Sequence, residues 1–159
     1  MQTFTVICVG KLKEKAFSEL QDEYTKRLSR FCRCEIVNIE EQRLPAEPSK
    51  AQIEAALARE AEAIRAKIPK GSKTIALCIE GEMLSSEALS SRLEALSMQT
   101  DKLCFLIGGS CGLDESLKKE ADLRLSFSRM TFPHHLFRVM LLEQLYRACT
   151  IRAGTGYHK

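Results

Sequence analysis

Gly108-Gly109-Ser110-Cys111-Gly112 follows an apolar run and precedes a helix-forming segment, the place where a phosphate or dinucleotide loop would sit. It matches neither G-x-G-x-x-G nor the P-loop, since no glycine falls at the required third place and no lysine follows. What it offers is bare backbone: without Cβ atoms a chain can approach a flat ligand, and its amides and carbonyls can read an adenine edge. The same residues also suit a plain strand-to-helix turn.

Three further groups carry reactive atoms. His134 and His135 open a helix, where the dipole favours neutral imidazole; adjacent side chains diverge by about 100°, so they cannot grip one metal as an i, i+4 pair, and at least one reads as a packing residue. Tyr157-His158-Lys159 ends the chain with an aromatic ring, an acid–base group and a cation, in a position that is ordinarily a solvated tail. Ser126 and Ser128 have no nearby His/Asp arrangement that would make a nucleophile. Cys32-x-Cys34 is too tight for the usual zinc pairs and has no second pair, so no metal site is expected. The seven cysteines are odd in number and mostly lie in apolar runs, which suits reduced thiols in the cytoplasm.

The elements that must position these groups alternate. Thr3 to Val9, Glu35 to Ile39, Lys73 to Ile79, Lys102 to Ile107 and Leu123 to Phe127 are short apolar, β-branched runs. Between them, Lys13 to Phe31 has helical apolar spacing, and Ser49 with Gln52 makes a capping box for a helix to Ile68. Ser85 or Ser86 caps a helix to about Ser97, and Asp114 caps a short one to Ala121. Near-continuous apolar strands alternating with helices predict one α/β domain over residues 1–159, a mainly parallel sheet with helices on both faces. Ligands bind such sheets at the carboxyl ends of strands. Three glycine or polar turns mark those ends here: Leu77 to Gly81, Ile107 to Gly112, and Phe127 to Phe132.

The last helix, opened by Thr131 and Pro133 and running to about Arg152, is apolar nearly all round. Leu136, Phe137, Val139, Met140, Leu141, Leu142, Leu145, Tyr146, Cys149 and Ile151 exceed the one-sided stripe of a surface helix. It needs two partners, its own sheet and, most simply, a second copy of the chain in a twofold dimer, the other reading being a fully buried core helix in a monomer. From Arg129 on, five basic residues face one acid, a net +4 in a chain of net +3, so residues 1–128 sum to −1. That asymmetry predicts a localised anionic partner at the last helix and tail. The first apolar run, Phe4 to Val9, is too short for a signal or a membrane span.

Taken together, VGKLKEK (Val9 to Lys15), IEGEMLSSE (Ile79 to Glu87), IGGSCGL (Ile107 to Leu113), LSFSRMTFPHHLFRV (Leu125 to Val139), LLEQLYRA (Leu141 to Ala148) and the final YHK resemble one family over essentially the whole chain. It is the ribosomal RNA large subunit methyltransferase H family, small SPOUT-class enzymes. The resemblance implies an S-adenosylmethionine-dependent enzyme that methylates N3 of a pseudouridine in 23S rRNA on the assembled ribosome, acting as a cytoplasmic homodimer without metal. It also implies a C-terminal trefoil knot, which residue patterns alone would not predict. By motif position it implies cofactor contacts at Leu77, Gly108, Phe127, Ser128, Arg129, Met130, Thr131 and Phe132. The candidates for the chemistry are His158 as proton acceptor or base-orienting group, Tyr157 as a stacking or hydrogen-bonding partner, and Arg138 for nucleobase or phosphate contact. Two other readings keep part of this picture: a SPOUT enzyme with another RNA target, and a non-catalytic ribosome-binding dimer.

Overall fold

The apolar runs become five strands that all pair in parallel. In the computed structural model, which describes residues 1–159, the order along the chain is β1 (Thr3–Val9), α1 (Lys15–Leu28), β2 (Arg33–Ile39), α2 (Lys50–Arg65), β3 (Lys73–Met83), α3 (Ser86–Ser97), β4 (Lys102–Ile107), α4 (Glu115–Glu120), β5 (Leu123–Ser126) and α5 (His134–Arg152). Across the sheet the order is β2-β1-β4-β3-β5. Because every strand points the same way, the loops that leave them share one edge. The β1–β2 register runs from Thr3 opposite Arg33 to Val9 opposite Ile39, and Cys8 stands opposite Ile107 of β4.

Alternation along β1 sorts the core into two layers. Phe4, Val6 and Cys8 face α1, α3 and α5 in the larger cluster, where Phe105 meets Phe4 edge-on at 5.6 Å. Ile7 and Val9 face α2 and α4 with Ala61, Ile64 and Leu117. The capping box forms as the sequence predicts: Ser49 accepts from the Gln52 amide while the Gln52 side chain accepts from the Ser49 amide.

Apart from shifts of a few residues at other element ends, three features differ from the sequence reading, each for a physical reason. α5 starts at His134, with Pro133 outside it in an extended conformation (ψ 132°), so the proline ends the incoming loop and is not the first helical residue. β3 does not stop at Ile79. It leaves register after Leu77 and rejoins β5 at Glu82, opposite the same Leu125. Gly81 permits this, since a Cβ there would stand 2.7 Å from the Leu125 backbone. Finally, α5 lies between α1 and α3 on its face of the sheet, and none of His134 to Ile151 is exposed. Neighbours within the chain thus satisfy much of the apolar girth that predicted a second copy.

Candidate functional site

The excursion of β3, the glycine turn after β4 and the loop after β5 enclose one cleft of about 720 Å³. Its size falls in the range of small-molecule sites, and its lining has their character, apolar side chains with a few polar groups. The β3 wall is Leu77, Cys78, Ile79 and Glu80, residues displaced outward because the strand bulges there. The far wall is Phe127, Met130 and Phe132, steadied by the Phe127 ring against Phe137 at 4.8 Å. Ser128 shapes that loop locally: its hydroxyl accepts from the Met130 amide, and its carbonyl accepts from the Ser126 hydroxyl.

The glycine turn closes on itself before it meets any ligand. The Gly112 amide donates to the Gly109 carbonyl at 3.1 Å, and Gly112 adopts φ +79°. A Cβ on Gly108 would overlap the Gly112 backbone, and one on Gly109 would stand 2.8 Å from Glu41 Oε1. That carboxylate, from the loop after β2, accepts from the Ser110 amide (3.1 Å) and hydroxyl (2.7 Å). Burial pushes Glu41 up, but the Ser110 hydrogen bonds outweigh it and hold the carboxyl below its ordinary value. A distant loop thereby pins the turn, an arrangement that local spacing cannot reveal.

Of the eight residues predicted to meet a cofactor, Leu77, Gly108, Phe127, Ser128, Met130, Thr131 and Phe132 line this cleft together. Arg129 does not; it stands exposed between two lining residues. His134 lines the mouth and was not singled out for a role from sequence. Burial, followed by the neighbouring His135, lowers its pKa, so it is a neutral hydrogen-bonding group at pH 7. His135 turns away to Glu14, 3.2 Å off.

The three residues predicted for chemistry lie elsewhere. Arg138 is 1% exposed; it donates to the Gly10 carbonyl (3.0 Å) and to Asn38 (2.9 Å), and its Nε has no partner. A cation so enclosed braces the loop after β1 and has no open path to a nucleobase or phosphate. Tyr157 and His158 do not line the cleft but dock on α5 and α3. The Tyr157 hydroxyl donates to Glu143 at 3.0 Å, and its ring meets Tyr146 edge-on at 4.8 Å with the Arg147 guanidinium 4.9 Å away. Burial and the Glu143 bond raise the Tyr157 pKa. At His158, Arg147 can only donate, so Nδ1 accepts (3.1 Å) and Nε2 carries its hydrogen toward Glu87 (2.8 Å). The His158 hydrogen bond is the largest reason that the Glu87 carboxyl is held down at about 2. Arg147 is paired to Glu143 at 2.6 Å, whereas Arg152 donates only to the neutral Gln2 and Arg129 and Lys159 stand exposed, so part of the positive charge of the last stretch is spent inside the molecule. The anion-binding role predicted for that stretch is thereby narrowed, since Arg138 and Arg147 are engaged within the fold.

All seven cysteines are free, no cluster of three or more His, Cys, Asp or Glu is placed to hold a metal ion, and no helix is long and apolar enough to cross a membrane. What remains is a parallel α/β protein with one apolar nucleoside-sized cleft at its carboxyl edge, walled by glycine backbone. The family model described as "Predicted SPOUT methyltransferase" matches residues 1–158, and the chain belongs to that family of S-adenosylmethionine-dependent methyltransferases. Proteins named "Ribosomal RNA large subunit methyltransferase H" are similar throughout. The one from Leuconostoc mesenteroides is 46% identical over 155 residues, 97% of this chain and 98% of that protein. Those from Streptococcus equi subsp. zooepidemicus and Clostridioides difficile are each 44% identical, over 97% and 98% of this chain and 98% of each relative. Among solved structures, a probable methylase family protein from Haemophilus influenzae shares the fold at a TM-score of 0.55 and 9% identity, over 99% of this chain and 70% of that one.

The cleft fits that cofactor. Leu77, Phe127 and Phe132 supply apolar faces for a flat base, and the turn from Gly108 to Gly112 supplies backbone groups for its edge. When bound, S-adenosylmethionine supplies an activated methyl group, so the cofactor carries the hard chemistry and the chain supplies orientation and a dry site.

Proposed function

We propose that this chain methylates N3 of a pseudouridine in 23S rRNA on the assembled ribosome, as a cytoplasmic homodimer with a knotted C-terminal part. The names of the relatives support an RNA of the large ribosomal subunit as substrate. The observation that carries the reading is the separation of two half-sites: a complete cofactor cleft, and a tail of aromatic ring and imidazole held outside it. Methyl transfer to a ring nitrogen needs the acceptor aligned and its proton removed. His158 supplies the proton acceptor and Tyr157 a stacking face. Since neither lines the cleft of its own chain, each tail serves the cleft of the partner in the dimer. The half-buried outer face of α5, with Leu136, Met140 and Ile151, is the surface for that pairing.

A net charge of +3 is too small to grip naked RNA by releasing many counterions, so the ribosome must present the target. The test is methyl transfer by the pure protein to ribosomes and to protein-free 23S rRNA from a strain lacking its gene, with the modified nucleoside identified by mass spectrometry. The expected product is a methylated pseudouridine formed on ribosomes and scarcely on free rRNA. A methyl group on another nucleotide assigns a different RNA target, and none at all leaves a ribosome-binding protein.

A further inference from the structure

Several of the cations free to meet an anion lie outside the stretch where the sequence concentrates its charge. Arg138 is enclosed, Arg147 pairs with Glu143 and Arg152 donates to Gln2, which leaves the basic side chains that are exposed and have no hydrogen-bond or ion-pair partner. Four stand on the carboxyl edge of the sheet beside the cleft: Lys11 and Lys13 in the loop after β1, Arg43 in the loop after β2, and Arg129 in the loop after β5. The sheet order places the first two loops side by side, the β1 loop next to the glycine turn of β4, and the β5 loop at the other edge of the sheet.

These loops converge by contact as well as by topology. A Cβ on Gly10, the residue before Lys11, would stand 3.8 Å from both Glu41 Oε2 and His134 Nε2. Glu41, two residues before Arg43, binds Ser110 of the glycine turn. Arg138 holds the Gly10 carbonyl from below, and the Gln42 amide donates to the buried Glu60 at 2.8 Å. The backbone under the free cations is therefore fixed. Glu80 on this edge is paired with Lys118 at 2.5 Å, Glu14 faces His135, and Glu41 is turned onto Ser110 of the glycine turn. Glu40 and Glu47 remain free, and they lie on the β2–α2 loop only.

We propose that Lys11, Lys13, Arg43 and Arg129 form a phosphate track that lays the target RNA strand across the cleft mouth, a proposal that rests on the RNA-methylating reading above. Exposed lysines and arginines on a fixed edge suit an RNA backbone, whose contacts position a strand and carry no sequence information. The target base would be chosen by the cleft and tail, and its strand delivered by the edge.

The test is the combined variant Lys11→Ala/Lys13→Ala/Arg43→Ala in the full-length protein. Its control is Lys67→Ala, an exposed cation just past α2 on the opposite edge. The expected result is unchanged S-adenosylmethionine affinity by calorimetry, a KM for 70S ribosomes raised at least about tenfold with kcat kept, and a salt dependence shallower by about two units of slope. Lys11→Arg/Lys13→Arg/Arg43→Lys restores the wild-type KM, which a structural role for the lysine stems or the arginine fork would not allow. Unchanged KM and salt slope overturn the track. So does weakened cofactor binding, or an equal loss in Lys67→Ala. If the wild-type protein methylates nothing yet sediments with ribosomes in a salt-dependent way that the combined variant loses, the RNA-methylating reading fails and the track stands. If it neither methylates nor sediments, both fail.

Discussion

The cofactor cleft and the C-terminal tail are built from opposite materials. Around the cleft, backbone shape does the positioning: Gly108 nests against Gly112, Gly81 against Leu125, and the walls grow out of buried strands. The tail is held by side-chain tips, with Tyr157 on Glu143 and His158 between Arg147 and Glu87, over half-exposed ground. A backbone-built site is as stable as the fold. A tail held by exposed polar pairs, which contribute little to stability, can exchange its contacts at small cost. The difference separates a place for the cofactor that is built into the fold from a tail, proposed for the chemistry, that is held only by side-chain contacts.

The comparison breaks most severely at Gly108. Gly108→Ala drives a Cβ into the Gly112 backbone, and the turn must open to admit it. S-adenosylmethionine binding should be lost in calorimetry and methyl transfer with it, and the strain should lower stability by about 1–3 kcal/mol. If the variant binds cofactor normally, the turn is not part of the site. His158→Ala tests the other region. Removing a proton acceptor should lower kcat on the order of 10²–10⁴-fold, while cofactor affinity stays within about twofold and the melting temperature moves by only a few degrees. Loss of cofactor affinity in that variant would erase the distinction between the regions. Mixing His158→Ala chains with Gly108→Ala chains should recover part of the activity, since one kind of mixed pair keeps an intact cleft and an intact tail.

Arg138 sharpens the boundary. Arg138→Met leaves the Gly10 carbonyl and Asn38 without their donor in a buried place, a loss of about 1–3 kcal/mol readable in urea denaturation. A substrate-contacting arginine would instead show undiminished stability and a reduced kcat.

How much of this the sequence discloses depends on how local each cause is. Strands, the Ser49 capping box, the glycine turn and the three converging strand ends are written in neighbouring residues, and they appear where the sequence predicts them. The burial of Arg138 is not, because its acceptors Gln21, Asn38 and Gly10 lie a hundred residues or more away. The β3 excursion was half legible: Glu80-Gly81-Glu82 reads as a turn, but only the pairing with Leu125 makes the strand resume. The apolar circumference of α5 is real, and the sequence alone cannot tell flanking helices of the same chain from a second copy. The tail likewise shows its residue types in sequence but not that Glu143, Arg147 and Glu87 hold it away from the cleft.

The smallest expected effect lies where the edge loops meet the cleft, at His134. Its folded pKa is lowered, first by burial and then by His135, so below the ordinary histidine range the unfolded chain binds protons more readily than the folded one. The contribution of this group to stability is therefore complete above about pH 6.5 and declines as the pH falls below it. Protonation would also place a second positive charge at a mouth that must admit a sulfonium. S-adenosylmethionine affinity should then fall a few-fold between pH 7.5 and 5.5 in the wild type and stay level in His134→Gln. Glu41 does not confuse the measurement, because Ser110 keeps its carboxyl ionised below the ordinary carboxylate range. A slope that survives in His134→Gln would show that the cleft answers to some other titrating group. The preformed region would then be less independent of its surroundings than its backbone construction implies.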